Sequence, residues 1–131
     1  MPSGSCLCGT VRFEVSGPLP PGDACHCTQC RKQSGHYWAS TNVKRSDLTV
    51  HGAEAVTWFR SSEKVRRGFC SRCGSVLFWD PLAGDITSVA LGAFDAPTDT
   101  KLALHIFVAD KGDYYEIGDG LPQHPRFPSR H

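Results

Sequence analysis

Seven cysteines occur in three close groups along the chain, and thiolates at such spacings are typical zinc ligands. The first pair, the triplet and the last pair are, in order, Cys6 and Cys8; Cys25, Cys27 and Cys30; Cys70 and Cys73. A structural zinc takes four thiolates in a closed tetrahedron, whereas a catalytic zinc keeps three protein ligands and one position for water or substrate. Because seven thiols divide most naturally as four and three, the sequence predicts two zinc ions per chain, one structural and one catalytic.

The residues alone leave two divisions of the thiols open. Cys27 and Cys30 have the same spacing as the last pair, so these four could form a four-cysteine ribbon that leaves Cys25 and the first pair over. In the division that we favour, the first pair joins the last pair and ties the start of the chain to a later hairpin. The triplet then forms a local three-ligand site with an open fourth position.

Polar residues beside the triplet and on a later strand are candidates for roles around that site. Arg31 and Lys32 follow Cys30 directly and are either solvated side chains or charge partners of the thiolates or of a substrate carboxylate. His26 stands between two cysteines, but in an extended segment its side chain points away from theirs. We therefore expect a surface residue, or a residue behind the ligands, rather than a ligand. His105 is expected to be a packed, hydrogen-bonded residue rather than a catalytic base.

Aromatic residues are expected mainly in the interior. Trp58, Phe78 and Trp79 are predicted core residues. The aromatic run 36–38 follows a glycine and fits either the core or the wall of a pocket near the open metal position.

Most of the remaining sequence has the pattern of β-strands. In residues 10–17, TVRFEVSG, the apolar Val11, Phe13 and Val15 alternate with polar residues, which is the period of a half-buried strand. Further runs rich in β-branched and aromatic residues cover 56–61, 75–80, 86–94 and 102–110. Gly and Pro separate these runs, and no long run keeps a helical apolar period. We predict a mainly antiparallel β fold with few or no helices, and a Pro-rich tail, residues 120–131, that runs extended over the surface.

Size and charge limit the class of protein. The 131 residues suit one domain, and we expect it to span residues 1–131. The net charge is +1, from 14 Lys and Arg against 13 Asp and Glu, and no basic run indicates nucleic-acid binding. No apolar stretch reaches the roughly 20 residues of a membrane span, and the first residues have no leader pattern. An odd number of cysteines disfavours a secreted disulfide scaffold, so we expect a soluble, cytoplasmic protein.

The cysteine groups and their flanking residues resemble a known family. GSCLCGTVRFEVSG, CHCTQCRKQSG, FCSRCGSVLFW and HIFVADKGDYYEIGDGLPQHP occur in that order. Together they resemble the glutathione-dependent formaldehyde-activating enzyme family, which also includes centromere protein V, over residues 4–125. The resemblance implies an Mss4-like β fold, a structural zinc on the first and last pairs, and a catalytic zinc on the triplet. It also implies addition of the glutathione thiol to formaldehyde, which gives S-hydroxymethylglutathione.

The chemistry of the open site agrees with this implied activity. Zinc with a free position polarises an aldehyde oxygen or stabilises a thiolate, and either helps to form a carbon–sulfur bond. We therefore expect a zinc-dependent enzyme, similar to a carbon–sulfur lyase, that joins glutathione or a similar thiol to formaldehyde or a related aldehyde. The alternative is a zinc-stabilised β binding module without catalytic activity. The sequence assigns no residue to substrate binding and no oligomeric state.

Overall fold

The computed structural model, in which residues 1–128 are described, contains ten β-strands in two sheets. The strands are β1 Ser3–Ser5, β2 Arg12–Val15, β3 Gly22–Cys25, β4 Trp38–Lys44, β5 Leu48–His51, β6 Val56–Arg60, β7 Val65–Cys70, β8 Val76–Pro81, β9 Ile86–Ala90 and β10 Leu102–Ile106. The described residues contain one α-helix, α1, at Thr28–Ser34, and four short 3-10 helices. The predicted mainly β fold with few helices is confirmed.

The strands form a small sheet in the order β1-β2-β5 and a large sheet in the order β10-β3-β4-β9-β8-β7-β6. Neighbouring strands are antiparallel except β10 and β3, which run parallel. A parallel pair needs a long connection, and here most of the chain lies between the two strands. The sequence pattern of single strands did not indicate this pairing.

The core lies between the small sheet and one face of the large sheet. Phe13 and Val15 on β2 alternate with exposed or half-buried residues, as predicted, and point at this core. On the large sheet, Val43, Phe78 and Val89 face them. The ring centroids of Phe13 and Phe78 lie 6.0 Å apart in an edge-on arrangement, which aromatic pairs favour. This packing fixes one face of the large sheet, so the alternate side chains of the same strands must point to the other side.

That other face of the large sheet carries polar and aromatic side chains and is covered at one end by α1. Cys30 of the helix packs with Trp38 of β4 and Ala90 of β9 in a second, smaller group of buried side chains. The helix ends at Ser34 because Gly35 takes the left-handed conformation, with φ of 86°. The short helix therefore closes one end of the sheet and leaves the rest of this face open.

Two of the predicted strand runs are shorter than the sequence indicated. The run 86–94 is a strand only as far as Ala90, and a 3-10 turn follows at Leu91–Ala93. The run 102–110 ends at Ile106, because Phe107 has a positive φ of 56° and cannot continue a strand. The described part of the tail lies on the surface, as predicted, but it bends at residues 125–127 and is not extended throughout. The His105 N–H donates to the carbonyl of Pro122 at 2.9 Å. Residues 129–131 lie outside the described part of the chain.

The prediction that Trp58, Phe78 and Trp79 are core residues is partly wrong. Phe78 is buried, but Trp79 is only half-buried and faces the open side of the sheet. Trp58 is 37% exposed because β6 is the edge strand of the large sheet. The guanidinium of Arg66 covers its ring at 3.8 Å, a cation–π contact. None of the helices in residues 1–128 has the length and apolar character to cross a membrane.

Candidate functional site

Four thiols converge where the loop between β1 and β2 meets the turn between β7 and β8. The Sγ atoms of the first and last cysteine pairs all lie within 4.8 Å of one another. The Cys6 and Cys8 sulfurs are 3.6 Å apart, and those of Cys8 and Cys70 are 3.8 Å apart. Two thiolates bound at about 2.3 Å in a tetrahedron lie about 3.8 Å apart, so this donor set fits a tetrahedral zinc ion.

The backbone around these four cysteines supports thiolate ligands. Gly9 and Gly74 directly follow Cys8 and Cys73, and both have φ of 80°, so each cysteine loop turns through a conformation that glycine adopts without strain. The N–H of Val11 donates to the Cys6 sulfur at 3.3 Å. Hydrogen bonds from Ser75 lower the pKa of Cys73 to about 5. Because a zinc ligand must be deprotonated, these contacts favour metal binding.

The other three thiols come together at the junction of β3 and α1. The sulfurs of Cys25, Cys27 and Cys30 lie within 4.8 Å of one another. Cys25 ends β3, Cys27 is the N-cap of α1 and accepts a hydrogen bond from the backbone N–H of Cys30 at 3.3 Å, and Cys30 lies in the first helical turn. The structure thus groups the thiols as four and three, and the alternative ribbon of Cys27 and Cys30 with the last pair does not form.

The three thiols share their protons unequally. The pKa of Cys27 is lowered to about 2, chiefly by hydrogen bonds with the neighbouring thiols of Cys25 and Cys30 and, as a smaller cause, by the charge of Arg67. The hydrogen bond with Cys27 raises the pKa of Cys25. Among the three thiols, Cys27 is therefore the one whose pKa is lowered.

A buried arginine lies against this group. Arg67 of β7 is only 4% exposed, and both terminal nitrogens of its guanidinium are 3.6 Å from the Cys30 sulfur. The same nitrogens donate to the side-chain oxygens of Gln33 at 3.1 Å and Gln29 at 3.3 Å. A buried cation is stable only beside compensating charge or acceptors, which the thiolates and the two glutamines supply. Arg67 is thus the charge partner of the three-cysteine group.

The arginine and lysine that follow Cys30 in sequence do not take that role. Arg31 donates through Nε to the backbone carbonyl of Asp110 at 2.9 Å. Lys32 is exposed, as in the solvated alternative of the sequence analysis. Nothing in the sequence around Arg67 distinguished it from Arg66, its neighbour on the same strand, which faces the other way.

A cavity of about 420 Å³ opens beside the three thiols, on the face of the large sheet opposite the core. Its polar floor consists of Asp23, Ser40, Asn42 and Ser88. Its aromatic walls consist of Trp38, Trp79, Phe107 and Phe127. Burial raises the pKa of Asp23. The cavity is large enough for a small organic substrate in contact with the thiols.

Both histidines that the sequence singled out are buried and lie outside the thiol groups. His26 is 0% exposed, so a surface position is wrong; its ring points away from the cysteines, as the alternation predicted. Its Nε2 lies 2.9 Å from Nδ1 of His105, and its Nδ1 contacts the hydroxyl of Tyr115. His105 in turn contacts Asp119 at 2.7 Å, so it is a packed, hydrogen-bonded residue, as predicted. Burial lowers the pKa of His26 to about 4, with the charge of His105 as a second cause.

The aromatic run 36–38 divides between two environments. Trp38 is buried and lines the cavity, so it serves both as core and as pocket wall. His36 instead contacts the hydroxyl of Tyr114 at 2.6 Å, outside the cavity lining. His26 contacts Tyr115 and His105, and His105 contacts Asp119. These contacts hold the segment with Tyr115 and Asp119 against the side of the three-cysteine loop that faces away from the thiols.

Comparison with known proteins gives consistent matches. The matching family model, glutathione-dependent formaldehyde-activating enzyme, covers residues 1–110, which include all seven cysteines. A Halomonas elongata protein named "Putative glutathione-dependent formaldehyde-activating enzyme" is 34% identical over 124 residues, covering 87% of this chain and 79% of that protein. A Schizosaccharomyces pombe protein named as an uncharacterised lyase is 25% identical over 121 residues, covering 88% and 85%. The fold matches a Rhodobacter sphaeroides crystal structure with a TM-score of 0.61 at 22% identity, covering 77% of this chain and 99% of that one. The chain therefore belongs to the glutathione-dependent formaldehyde-activating enzyme family.

Proposed function

We propose that this protein is a zinc-dependent enzyme, similar to a carbon–sulfur lyase, that joins a small thiol to formaldehyde or a related aldehyde. The observation that carries this proposal is the three-thiol group, which stands at the wall of a 420 Å³ cavity. In the reaction, the substrate sulfur bonds to the carbonyl carbon and the thiol proton ends on the carbonyl oxygen. No oxidant or reductant is needed. Glutathione is the thiol that the family name implies.

The four-cysteine group and the three-cysteine group are proposed to hold zinc ions with different roles. The closed set of Cys6, Cys8, Cys70 and Cys73 would hold a structural ion. The set of Cys25, Cys27 and Cys30 would hold the catalytic one. When bound by three protein ligands, zinc supplies an open position that stabilises a substrate thiolate or polarises an aldehyde oxygen.

The residues around the three-thiol group are suited to this chemistry. Three thiolates around a divalent ion leave about one net negative charge, which weakens a Lewis acid. The buried guanidinium of Arg67, 3.6 Å from the Cys30 sulfur, compensates this charge. Trp38 and Trp79 form walls that displace water from bound reactants, which strengthens polar contacts in the cavity.

A binding module without catalysis is the second candidate. In such a module, the zinc ions of the four-cysteine and three-cysteine groups would both serve only to stabilise the fold. The cavity argues against it, because a purely structural clamp gains nothing from three thiols at the wall of a pocket.

None of the seven cysteines, all of which are described, forms a disulfide bond. This fits a protein that works in a reducing compartment such as the cytoplasm.

The test is the rate at which formaldehyde and a thiol interconvert with their hemithioacetal at equilibrium, measured by NMR exchange spectroscopy. Uncatalysed addition is itself fast, so net product is a poor readout. The native protein should accelerate exchange, and Cys27→Ser should abolish the acceleration. Serine is a favoured N-cap, so this change removes a metal ligand while keeping the start of α1.

Lys32→Gln is the matched control, because this exposed residue lies on the same helix. It should retain the native rate. If the native protein and Cys27→Ser gave equal rates with several thiols and aldehydes, the binding module would be the better account.

A further inference from the structure

The floor of the cavity carries a carboxylate directly beside the three-cysteine group. Asp23 and Cys25 are two residues apart on β3, and both line the cavity. Residues two apart on a strand lie on the same face with their Cα atoms about 6.6 Å apart. Asp23 is half-buried, and among the described residues no group donates a hydrogen bond to its carboxylate or forms an ion pair with it. Its carboxylate is therefore available to a ligand.

The other charges at the cavity leave this carboxylate unbalanced. Among the described residues that line the cavity, Arg67 is the only Lys or Arg. Its terminal nitrogens are already engaged by Cys30, Gln29 and Gln33. A second acid, Asp110, also lines the cavity. With Arg67 offset by the thiolates, the remaining lining charge is negative.

Two basic side chains near Asp110 are engaged by backbone carbonyls. Arg31 donates through Nε to the Asp110 carbonyl, and Lys111 donates through Nζ to the carbonyls of Gly112 and Tyr115. Neither side chain is part of the cavity lining. In a partly desolvated cavity such a charge imbalance selects strongly between cations and anions.

We propose that Asp23 forms a subsite for a positively charged group, so that the preferred thiol substrate is a short aminothiol rather than a carboxylate-bearing thiol such as glutathione. This inference rests on the proposed function and specifies its substrate class. The ammonium contacts Asp23 while the sulfur, about two or three carbons away, reaches the three-cysteine group, as the strand spacing requires. The faces of Trp38 and Trp79 favour a cation with an apolar body.

Glutathione fits this arrangement poorly. At neutral pH it carries two carboxylates and one ammonium group, so it is a net anion. One of its carboxylates would have to enter a cavity that already contains Asp23 and Asp110. For a neutral thiol of similar length, the acceleration by the protein should lie between that for an aminothiol and that for glutathione.

The experiment compares four thiols with formaldehyde in the exchange assay, each as the ratio of the rate with protein to the rate without it. The probes are 2-(dimethylamino)ethanethiol, N-acetylcysteamine, 3-mercaptopropionate and glutathione. The first is a cationic aminothiol whose tertiary amine, unlike the primary amine of cysteamine, cannot condense with formaldehyde to a thiazolidine. We expect its ratio to exceed that for 3-mercaptopropionate by about tenfold or more, because a charge-assisted hydrogen bond contributes at least that factor. Asp23→Asn should reduce this preference to about threefold or less. Asp85→Asn, at an exposed turn, is the matched control and should keep it.

Binding of cysteamine to the zinc-loaded protein, measured by titration calorimetry, separates the two proposals. Acceleration of all four thiols without dependence on their charge would overturn the subsite and leave the enzyme in place. Cation-selective binding that Asp23→Asn removes, without any acceleration, would retain the subsite and overturn the enzyme. Equal loss of all four activities in Asp23→Asn would also overturn the subsite, and Asp23→Glu should restore the preference for the cationic thiol if charge is its cause.

Discussion

At the scale of single residues, the cysteines and the arginine beside them differ in how far the sequence reveals them. Thiol spacing predicted that the cysteines bind metal, and the division that we favoured is the one that the structure forms, although spacing alone left a four-cysteine ribbon open. Arg67 was not predictable, since its orientation depends on the pairing of β7 with β8 and on the irregular register between Gly68 and Phe69. Its Nε is buried without a hydrogen-bond partner among the described residues, which costs about 1–3 kcal/mol. Because the fold tolerates this cost, we interpret Arg67 as a residue that serves the three-cysteine group.

Replacing this arginine should change the pH at which the three-cysteine group releases zinc. Hydrogen bonds from neighbouring thiols lower the pKa of Cys27 most, and the charge of Arg67 lowers it further. In Arg67→Met the thiol pKa values rise, so protons compete with zinc up to a higher pH. We expect the pH of half-release to increase by about one unit, the usual size of such a charge effect.

Zinc release against pH, followed with a chromogenic chelator, measures this shift. Arg60→Met on the neighbouring strand β6 is the control, because this exposed arginine contacts only backbone carbonyls in its own turn. A half-release pH that is unchanged in Arg67→Met would show that the guanidinium does not act on the thiols.

At the scale of elements, the two thiol groups connect different parts of the fold. The four-cysteine group joins the loop after β1 to the turn after β7, more than 60 residues later, as the Cys8 and Cys70 pair shows. The three-cysteine group spans only the step from β3 into α1. Of the ten strands in the described residues, β2, β6, β8, β9 and β10 lie in runs that the sequence indicated, whereas the other five were not predicted. The strand ends at Ala90 and Ile106 were not predictable either, because they depend on local backbone conformation.

Substitutions in the four-cysteine group and in the three-cysteine group should therefore differ in their effect on the stability of the fold. Cys73→Ser removes a ligand that links distant strands, and we expect it to destabilise the fold by about 3 kcal/mol or more, on the order of 10 °C in Tm. Cys27→Ser should leave a folded protein with one zinc ion, since serine still caps α1. Thermal unfolding by circular dichroism, together with metal analysis of each variant, measures both effects. The reverse pattern would contradict the roles assigned to the two groups.

At the scale of the whole molecule, the cavity is the feature that the sequence did not reveal. Its floor and walls come largely from one face of several strands of the large sheet, so residues as distant in sequence as Asp23 and Ser88 line the same cavity only because of the strand order. The parallel pairing of β10 with β3 brings Ile106 and Phe107 to the same cavity. Local patterns gave the fold class, whereas the substrate site depends on this long-range arrangement.

The same arrangement predicts how the complete protein binds and loses metal. Purified under reducing conditions, the protein should contain about two zinc ions per chain, measured by mass spectrometric metal analysis, because both thiol groups are preassembled in the fold. During titration with a chelator, the zinc of the three-cysteine group should leave first, since its open position admits the competing ligand. Circular dichroism should stay constant through that step. It should change only when the four-cysteine group loses its ion, because that ion holds the β1–β2 loop to the β7–β8 turn. A content of one zinc or less before chelation, or unfolding together with the first release, would remove the open second site and with it the proposed catalysis.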